Sequence, residues 1–530
     1  MNKVLKGLVA VVSTAAMAIA GFAGAASATA AEDYSITIMP AKAGHVYEAY
    51  QVFTGNLNAD TGVLGNVAWG TGINQNKLSG EGASSLIKDK TAVEVSEALA
   101  QKGDNSADAK AYAKAFGGVL STTHKDSGTF DAANKAYTIS GLAAGYYLIQ
   151  DKAGLVTGDD SYTSFILKVT RTNTTVTPKS TTPTVDKKVQ DEVSDKDKNA
   201  DDNGWGDTAD HGINESFKFK FNATIPESAD LADYTKYEVK FTDTMSKGVT
   251  FESLDSVKVK GEDASGADKT WKVAENQYVK ADSTTGNQSW TLTISNVIAA
   301  CDGINITEGF SVEVVYKAHL NEKATVTTSN GSTDNANAVY LEYSNNPNAE
   351  GLGKTSEKKV YVYTFGITNK KVADRENGTP LKDAGFKLYT DTNCEHEYAL
   401  IWDNTLKAYR PVKTGETGVE MKSNAEGQFP IEGLDAGIYY LKETTTPAGY
   451  TTAAMQTVKI SATHEVTDNG TPNVTLSSDS TMNNVIVDKS GSSLPSTGGM
   501  GTTILYAAGA AIVLVAAFGI AFAVRRRNAR

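Results

Sequence analysis

The sequence predicts an all-β chain built as β-sandwich domains in tandem, and three observations carry that prediction. Short segments alternate apolar and polar residues, as in Tyr34-Ser35-Ile36-Thr37-Ile38, Ser216-Phe217-Lys218-Phe219-Lys220-Phe221 and Trp290-Thr291-Leu292-Thr293-Ile294. A half-buried strand needs that period of two, because successive side chains leave opposite faces. Clusters of Gly, Asn, Asp and Ser separate the segments and supply turns. Polar stretches containing Thr and Pro then divide the chain into pieces of domain size. Many short strands with frequent turn signals imply sandwiches of immunoglobulin-like topology.

Both ends read as processing segments. Lys3 and Lys6 precede an apolar, Ala-rich run from Gly7 to Ala26, and Ala28-Thr29-Ala30 offers a small-x-small cleavage site. Residues 1–30 are therefore expected to be an export signal. At the other end no charge occurs from Ile504 to Val524, and Arg525, Arg526, Arg527 and Arg530 follow. A helix over 504–524 would span about 30 Å of bilayer. The basic cluster at 525–530 would stay on the cytoplasmic side.

Roughly 465 residues remain between these ends, enough for about three domains of ~150 residues. The first is expected over 31–178, ending in the Thr-rich linker that holds Pro178 and Pro183. The second is expected over 180–355, closing in the polar stretch Asn345 to Lys359, and the third over 356–490. Thr91 to Leu120 is rich in Ala and reads as a helical insertion in the first domain. Gly141-Leu142-Ala143-Ala144-Gly145-Tyr146-Tyr147-Leu148 echoes Gly433-Leu434-Asp435-Ala436-Gly437-Ile438-Tyr439-Tyr440-Leu441, so one sandwich type recurs.

Composition excludes several functions. A net charge of −12 leaves no basic face to neutralise phosphates, which argues against a nucleic-acid partner and suits a solvated surface protein. Cys301 and Cys394 fall in different expected domains, so no disulfide is expected, although exported proteins often rely on them. His45, His124, His211, His319, His396 and His464 are scattered singly. The sequence has no HExxH, GxSxG, P-loop or dinucleotide fingerprint. Neither a cofactor nor a metal is expected from this pattern, nor an enzyme acting on an outside substrate.

The segment Leu494-Pro495-Ser496-Thr497-Gly498 stands just before the apolar run and the arginines. The three parts in that order resemble a Gram-positive cell-wall sorting signal. The resemblance implies that a membrane-bound sortase cleaves between Thr497 and Gly498 and holds Thr497 as a thioester. An acceptor amine then resolves the thioester, so the membrane helix is absent from the product.

A second motif lies inside the third domain, at Tyr439-Tyr440-Leu441-Lys442-Glu443-Thr444-Thr445-Thr446-Pro447-Ala448-Gly449-Tyr450. It resembles the E-box (YxLxETxxPxGY) of Gram-positive pilins and collagen-adhesin B-type domains. Alternation puts Tyr439, Leu441 and Glu443 on one face, so Glu443 points into an apolar core, where a carboxyl tends to stay protonated. In that family such a Glu promotes an amide bond between a core lysine and an Asn. Of Lys370 and Lys371 in the opening strand, Lys371 shares parity with Phe365 and Ile367. In the last strand Asn484 and Asp488 share a face. The family's usual Asn favours Asn484, with Asp488 the alternative.

The second domain offers the same pattern with a different acid. Lys187 alternates inward with Val185 and Val189, Asp243 shares parity with Phe241 and Met245, and Asn337 with Val339, Leu341 and Tyr343. The resemblance to the central domain of major pilins implies a Lys187–Asn337 bond promoted by Asp243. In the first domain, Leu148-Ile149-Gln150-Asp151 has no Glu at the E-box position, and no cross-link is expected there.

At the first boundary Val176-Thr177-Pro178-Lys179 is similar to the VYPK pilin motif, with Thr in place of Tyr. The resemblance makes Lys179 the amine that attacks the Thr497 thioester of another copy, with Lys187 and Lys188 as rivals. Taken whole, the chain resembles a sortase-assembled major (shaft) pilin, a fimbrial subunit at the cell surface. Implied partners are pilin-specific and housekeeping sortases, further copies of the chain, peptidoglycan, tip or base pilins, and a host matrix or glycan ligand. The alternative is a monomeric wall-anchored adhesin that binds a host ligand without polymerising. Its own chemistry would be limited to autocatalytic amide formation.

Overall fold

The alternation seen in the sequence becomes three successive β-sheet units in the computed structural model, which describes residues 34–491 and 500–527 apart from 59–62, 104–105, 164, 170–173, 179–181, 194–196, 198 and 283–287. The expected export signal, Lys179 and the motif at 494–498 lie outside the described residues.

In the first unit Tyr47–Leu57 pairs antiparallel with Leu64–Trp69 and Gly145–Asp151, and Ile166–Val169 extends that sheet. A smaller sheet sets Tyr34–Ile38 between Tyr137–Leu142 and, in parallel, Thr174–Val176. The Ala-rich stretch forms two helices, Ala92–Ala100 and Ala107–Gly117. Thr91 and Glu94 close a capping box at the first, and the Ser106 hydroxyl caps the second, so orphan N–H groups at both starts are satisfied. Val95, Leu99, Tyr112 and Phe116 then bury one face of each helix against a core holding Phe53, Tyr146 and Leu148.

The second unit is a sandwich. Its six-stranded sheet includes Thr184–Gln190, Ser216–Ile225 and Phe310–Leu320, and its seven-stranded sheet includes Val239–Met245, Gln288–Ile294 and Ala336–Ser344. Inward positions of both sheets supply a shared aromatic core. Phe221 meets Phe241 at 4.5 Å between ring centres, and Trp290 meets Tyr316 edge-on at 5.1 Å. Offset and edge contacts of this kind add to the large area such rings bury.

One expected boundary moves. Lys358–Tyr363, assigned from the sequence to the third domain, pairs with Ala336–Ser344 and with Thr208–Asp210, which makes it a strand of the second unit's sheet. The polar stretch before it resembles a linker in composition, but Leu352–Lys354 folds back on Glu342–Ser344 as a β excursion. The chain passes to the third unit at Thr364, nine residues beyond the expected end at 355.

In the third unit Phe365–Ala373 lies between Ile431–Leu434 and the last strand, Asn483–Ser490, which it pairs in parallel. The facing sheet contains Gly385–Tyr389, Gly437–Thr445 and Gln456–Ile460. First and last strands thus sit side by side, with the E-box strand packed across from them. Beyond it a helix, Met500–Arg527, carries exposed apolar side chains such as Leu505, Leu514 and Phe518. The side chains described in it run from 505 to 520, and among the described residues no helix is long and apolar enough to cross a membrane. Cys301 and Cys394 are both free thiols.

Candidate functional site

Strand pairing explains how the second unit gathers three distant residues. Lys187 stands opposite Phe221 on its neighbouring strand, and Tyr316 stands opposite Phe219 on the next, so all four project inward from one sheet. Asp243 and Asn337 project from the other sheet, on adjacent strands two positions out of register. Lys187, Asp243 and Asn337 have no exposed surface. Lys187 Nζ donates to Asp243 Oδ2 and, at 3.1 Å, to the Tyr316 hydroxyl. Asn337 Nδ2 also donates to that hydroxyl, which in turn donates to Asp243 Oδ2 at 2.9 Å. Rings of Phe219, Phe221 and Tyr316 surround Nζ at 5.3 Å.

Burial decides the protonation of this group. It pushes the Lys187 amine down, with Asp243 opposing, and pushes the Asp243 carboxyl up against the pull of Lys187. Two ions here would each lose several kcal/mol of hydration, so a neutral amine beside a protonated acid is the state the core favours. A neutral amine has the free electron pair that a nucleophile needs. Asn337 Oδ1 and Asp243 Oδ1 are both buried without a hydrogen-bond partner, and both remain available when the side-chain amide is polarised.

The third unit reaches a similar end by a different layout. Lys371 on the first strand and Asp488 on the last come from one sheet, and Glu443 comes from the facing one. Lys371 Nζ donates to Asp488 Oδ1 and stands 3.2 Å from Glu443 Oε1. All three side chains are shut off from solvent. Burial raises the Glu443 carboxyl, while the Ala453 N–H, which donates to its Oε2 at 2.6 Å, and Lys371 oppose the rise. Glu443 Oε1 and Asp488 Oδ2 accept no hydrogen bond.

The structure brings Asp488, the alternative acceptor, against Lys371 and sets Asn484 elsewhere. Asn484 pairs with Asn369 in the ladder, two positions short of Lys371, and its Nδ2 donates to Asn369 Oδ1 at 3.1 Å. Parity alone put Asn484 and Asp488 on one face; the ladder sets Ile486 beside Lys371 with each candidate two positions away, and the fully buried Asp488 is the one whose carboxylate meets the amine. Lys370, on the opposite face, contacts neither acid among the described residues.

Tyr316 is a residue that sequence reasoning missed. It alternates inward with Val312, Val314 and Ala318, and a hydroxyl in such a run was the available signal. Also unforeseen is the buried group of the first unit, where His45 Nδ1 meets Asp151 Oδ1 at 2.7 Å and Nε2 meets Asp160 Oδ2 at 3.1 Å. Gln150, on the same strand as Asp151, donates to Glu48. Of the rivals to Lys179, Lys187 is enclosed and Lys188 is tied to Asp207 at 2.9 Å.

Residues 366–474 match the SpaA family, a prealbumin-like fold domain, and residues 486–529 match the LPXTG cell wall anchor motif. No curated relative matches the chain. The fold is similar to that of the T6 backbone pilin of serotype M6 Streptococcus pyogenes, at 16% identity and a TM-score of 0.53, covering 88% of this chain and 100% of that one. Further similar structures are the major pilin SpaD of Corynebacterium diphtheriae (15% identity, TM-score 0.46, 87% and 98% covered) and the major pilin BcpA of Bacillus cereus (16%, 0.40, 87% and 100%).

Proposed function

We propose that this chain is the shaft subunit of a covalent surface pilus, joined between Lys179 of one copy and Thr497 of the next and attached at its base to peptidoglycan. The observation that carries the reading is a pair of sealed Lys–acid–acceptor groups in a chain that ends in an LPXTG cell wall anchor motif. A load-bearing surface polymer that lacks disulfides needs such covalent braces, and a single anchored enzyme does not.

Each brace would form without outside help. In the second unit the neutral Lys187 Nζ attacks Cγ of Asn337, while protonated Asp243 polarises the amide oxygen and passes a proton to the departing nitrogen. An N–C bond forms, the Cγ–Nδ2 bond breaks, and ammonia leaves. In the third unit Lys371 attacks Cγ of Asp488 beside protonated Glu443, and water leaves. Burial supports the first step by lowering the Lys187 amine and raising the Asp243 carboxyl, and the second by raising the Glu443 carboxyl.

An adhesin anchored singly to the wall is the second reading, favoured by Thr177 where a pilin motif has Tyr. Lys179→Ala separates the two on denaturing gels of cell-wall extracts. Loss of a high-mass ladder supports the shaft, and an unchanged ladder sinks it.

A further inference from the structure

Four side chains that neither brace uses meet where the second and third units touch. Glu192 follows the strand Thr184–Gln190, His211 and Glu215 follow Thr208–Asp210, and Asp435 sits in the turn before Gly437–Thr445. One ligand atom from each lies within 4.8 Å of all the others. Backbone contacts fix these loops: within the second unit His211 N–H donates to the Tyr363 carbonyl at 3.0 Å, and across the seam Ile213 N–H donates to the Gly433 carbonyl at 2.9 Å.

The His211 ring is held rigidly. It stacks on Phe217 at 4.2 Å, it is 4% exposed, and its Nε2 donates to the Gln190 carbonyl at 2.8 Å. A carbonyl can only accept, so Nε2 carries the proton, and in the neutral ring Nδ1 is a bare lone pair. That Nδ1 is buried and has no hydrogen-bond partner. No ion pair joins the ring to the three carboxylates, and among the described residues none of the three pairs with a lysine or arginine. Glu215 Oε2 accepts only the Gly212 N–H, at 2.9 Å.

Three carboxyl groups and an unpaired imidazole nitrogen converging on one point present a cation with four donor atoms. An imidazole with one N–H fixed on a backbone carbonyl and the other nitrogen bare is the arrangement that metal-ligating histidines use. Donors on opposite sides of an ion at about 2.0–2.6 Å stand about 4–5 Å apart, which is the spread seen here. The neighbouring buried group differs, because His464 Nε2 lies between Asp210 at 3.0 Å and Asp191 at 3.3 Å and balances them itself.

We propose that Glu192, His211, Glu215 and Asp435 form a divalent-cation site that ties the second unit to the third. One imidazole with carboxylates suits Mn²⁺ or Zn²⁺ better than Ca²⁺ or Mg²⁺. Glu192 is exposed and gives the ion its way in.

The test uses the full chain in detergent, stripped with a chelator and titrated calorimetrically with Mn²⁺ and then Zn²⁺, with metal content measured after dialysis. The expected result is one equivalent per chain, with affinity lowered at least tenfold by His211→Ala and by Glu215→Gln. Glu192→Gln changes an exposed side chain and leaves the fold intact, so it should lose affinity severalfold without any loss of structure. His319→Ala, at a histidine paired with Glu252 and outside the cluster, should bind as the parent does. Failure of both ions to bind the parent, or parent-like affinity in Glu192→Gln and His211→Ala, would overturn the site. Neither outcome depends on whether the chain polymerises.

Discussion

Asn337 Nδ2 donates to the Tyr316 hydroxyl at 2.5 Å, in a core where neither residue is exposed. The same hydroxyl takes a hydrogen bond from Lys187 and gives one to Asp243, so it holds nucleophile, acid and acceptor amide in one cluster. Tyr316→Phe keeps the ring packing and removes this link. In that variant the Lys187–Asn337 bond should form at least tenfold more slowly. Intact-mass time courses read this directly, since each bond removes one ammonia, about 17 Da.

The acids should be harder to replace. Asp243→Ala leaves the buried Lys187 amine with only the Tyr316 hydroxyl as partner, at a cost of about 1–3 kcal/mol in addition to the missing bond. The second unit should keep its full mass and melt well below the parent. Glu443→Ala should do the same in the third unit.

The choice of acceptor in the third unit can be read from mass alone. Asp488→Ala should retain the water, about 18 Da, that the closed bond releases. Asn484→Ala should show the parent's deficit, because Asn484 is engaged with Asn369. The reverse pattern would restore Asn484 as the acceptor.

A pH dependence should appear in the first unit. Burial by itself would lower the His45 imidazole, but hydrogen bonds and charge from Asp151 and Asp160 outweigh it and raise the group from 6.5 to about 9. A group raised on folding stabilises the fold fully below its unfolded value and loses that contribution as pH rises through the folded one. The resistance of the first unit to thermal unfolding should therefore fall between about pH 6.5 and 9. Asp160, held below its usual range despite burial by His45, adds stability that is lost only in acid. His45→Gln should flatten the alkaline part of the profile, and an unchanged slope would count against this assignment.

Much of both buried clusters was legible because a strand of period two announces its buried face. Lys187, Asp243 and Asn337 each stood among inward-facing apolar residues, and so did Lys371 and Glu443. Register was not legible. Which residue stands beside Lys371 depends on how two strands more than a hundred residues apart slide against each other, and the choice between Asn484 and Asp488 depends further on which end of the last strand is buried, neither of which one strand's pattern encodes. Tyr316 and His211 escaped for a related reason, since their roles come from partners on other strands and loops. The boundary near 355 shifted because composition describes polarity, while Leu352–Lys354 shows that polar sequence can still pair in a sheet.

Lys187 lies close to the start of the second unit and Asn337 near its end, while Lys371 and Asp488 belong to the first and last strands of the third. With both bonds closed, a pull between Lys179 and Thr497 runs to Lys187, crosses to Asn337, continues to Lys371 and crosses to Asp488. Residues 188–336 and 372–487 then lie in closed covalent loops that carry no tension. At about 3.4 Å per residue they hold on the order of 900 Å of contour that cannot reel out. The first unit precedes Lys179 and is off this line altogether. Such a subunit is an inextensible tie with an unstrained side arm, so a fibre made of it would pass force to the wall at constant length.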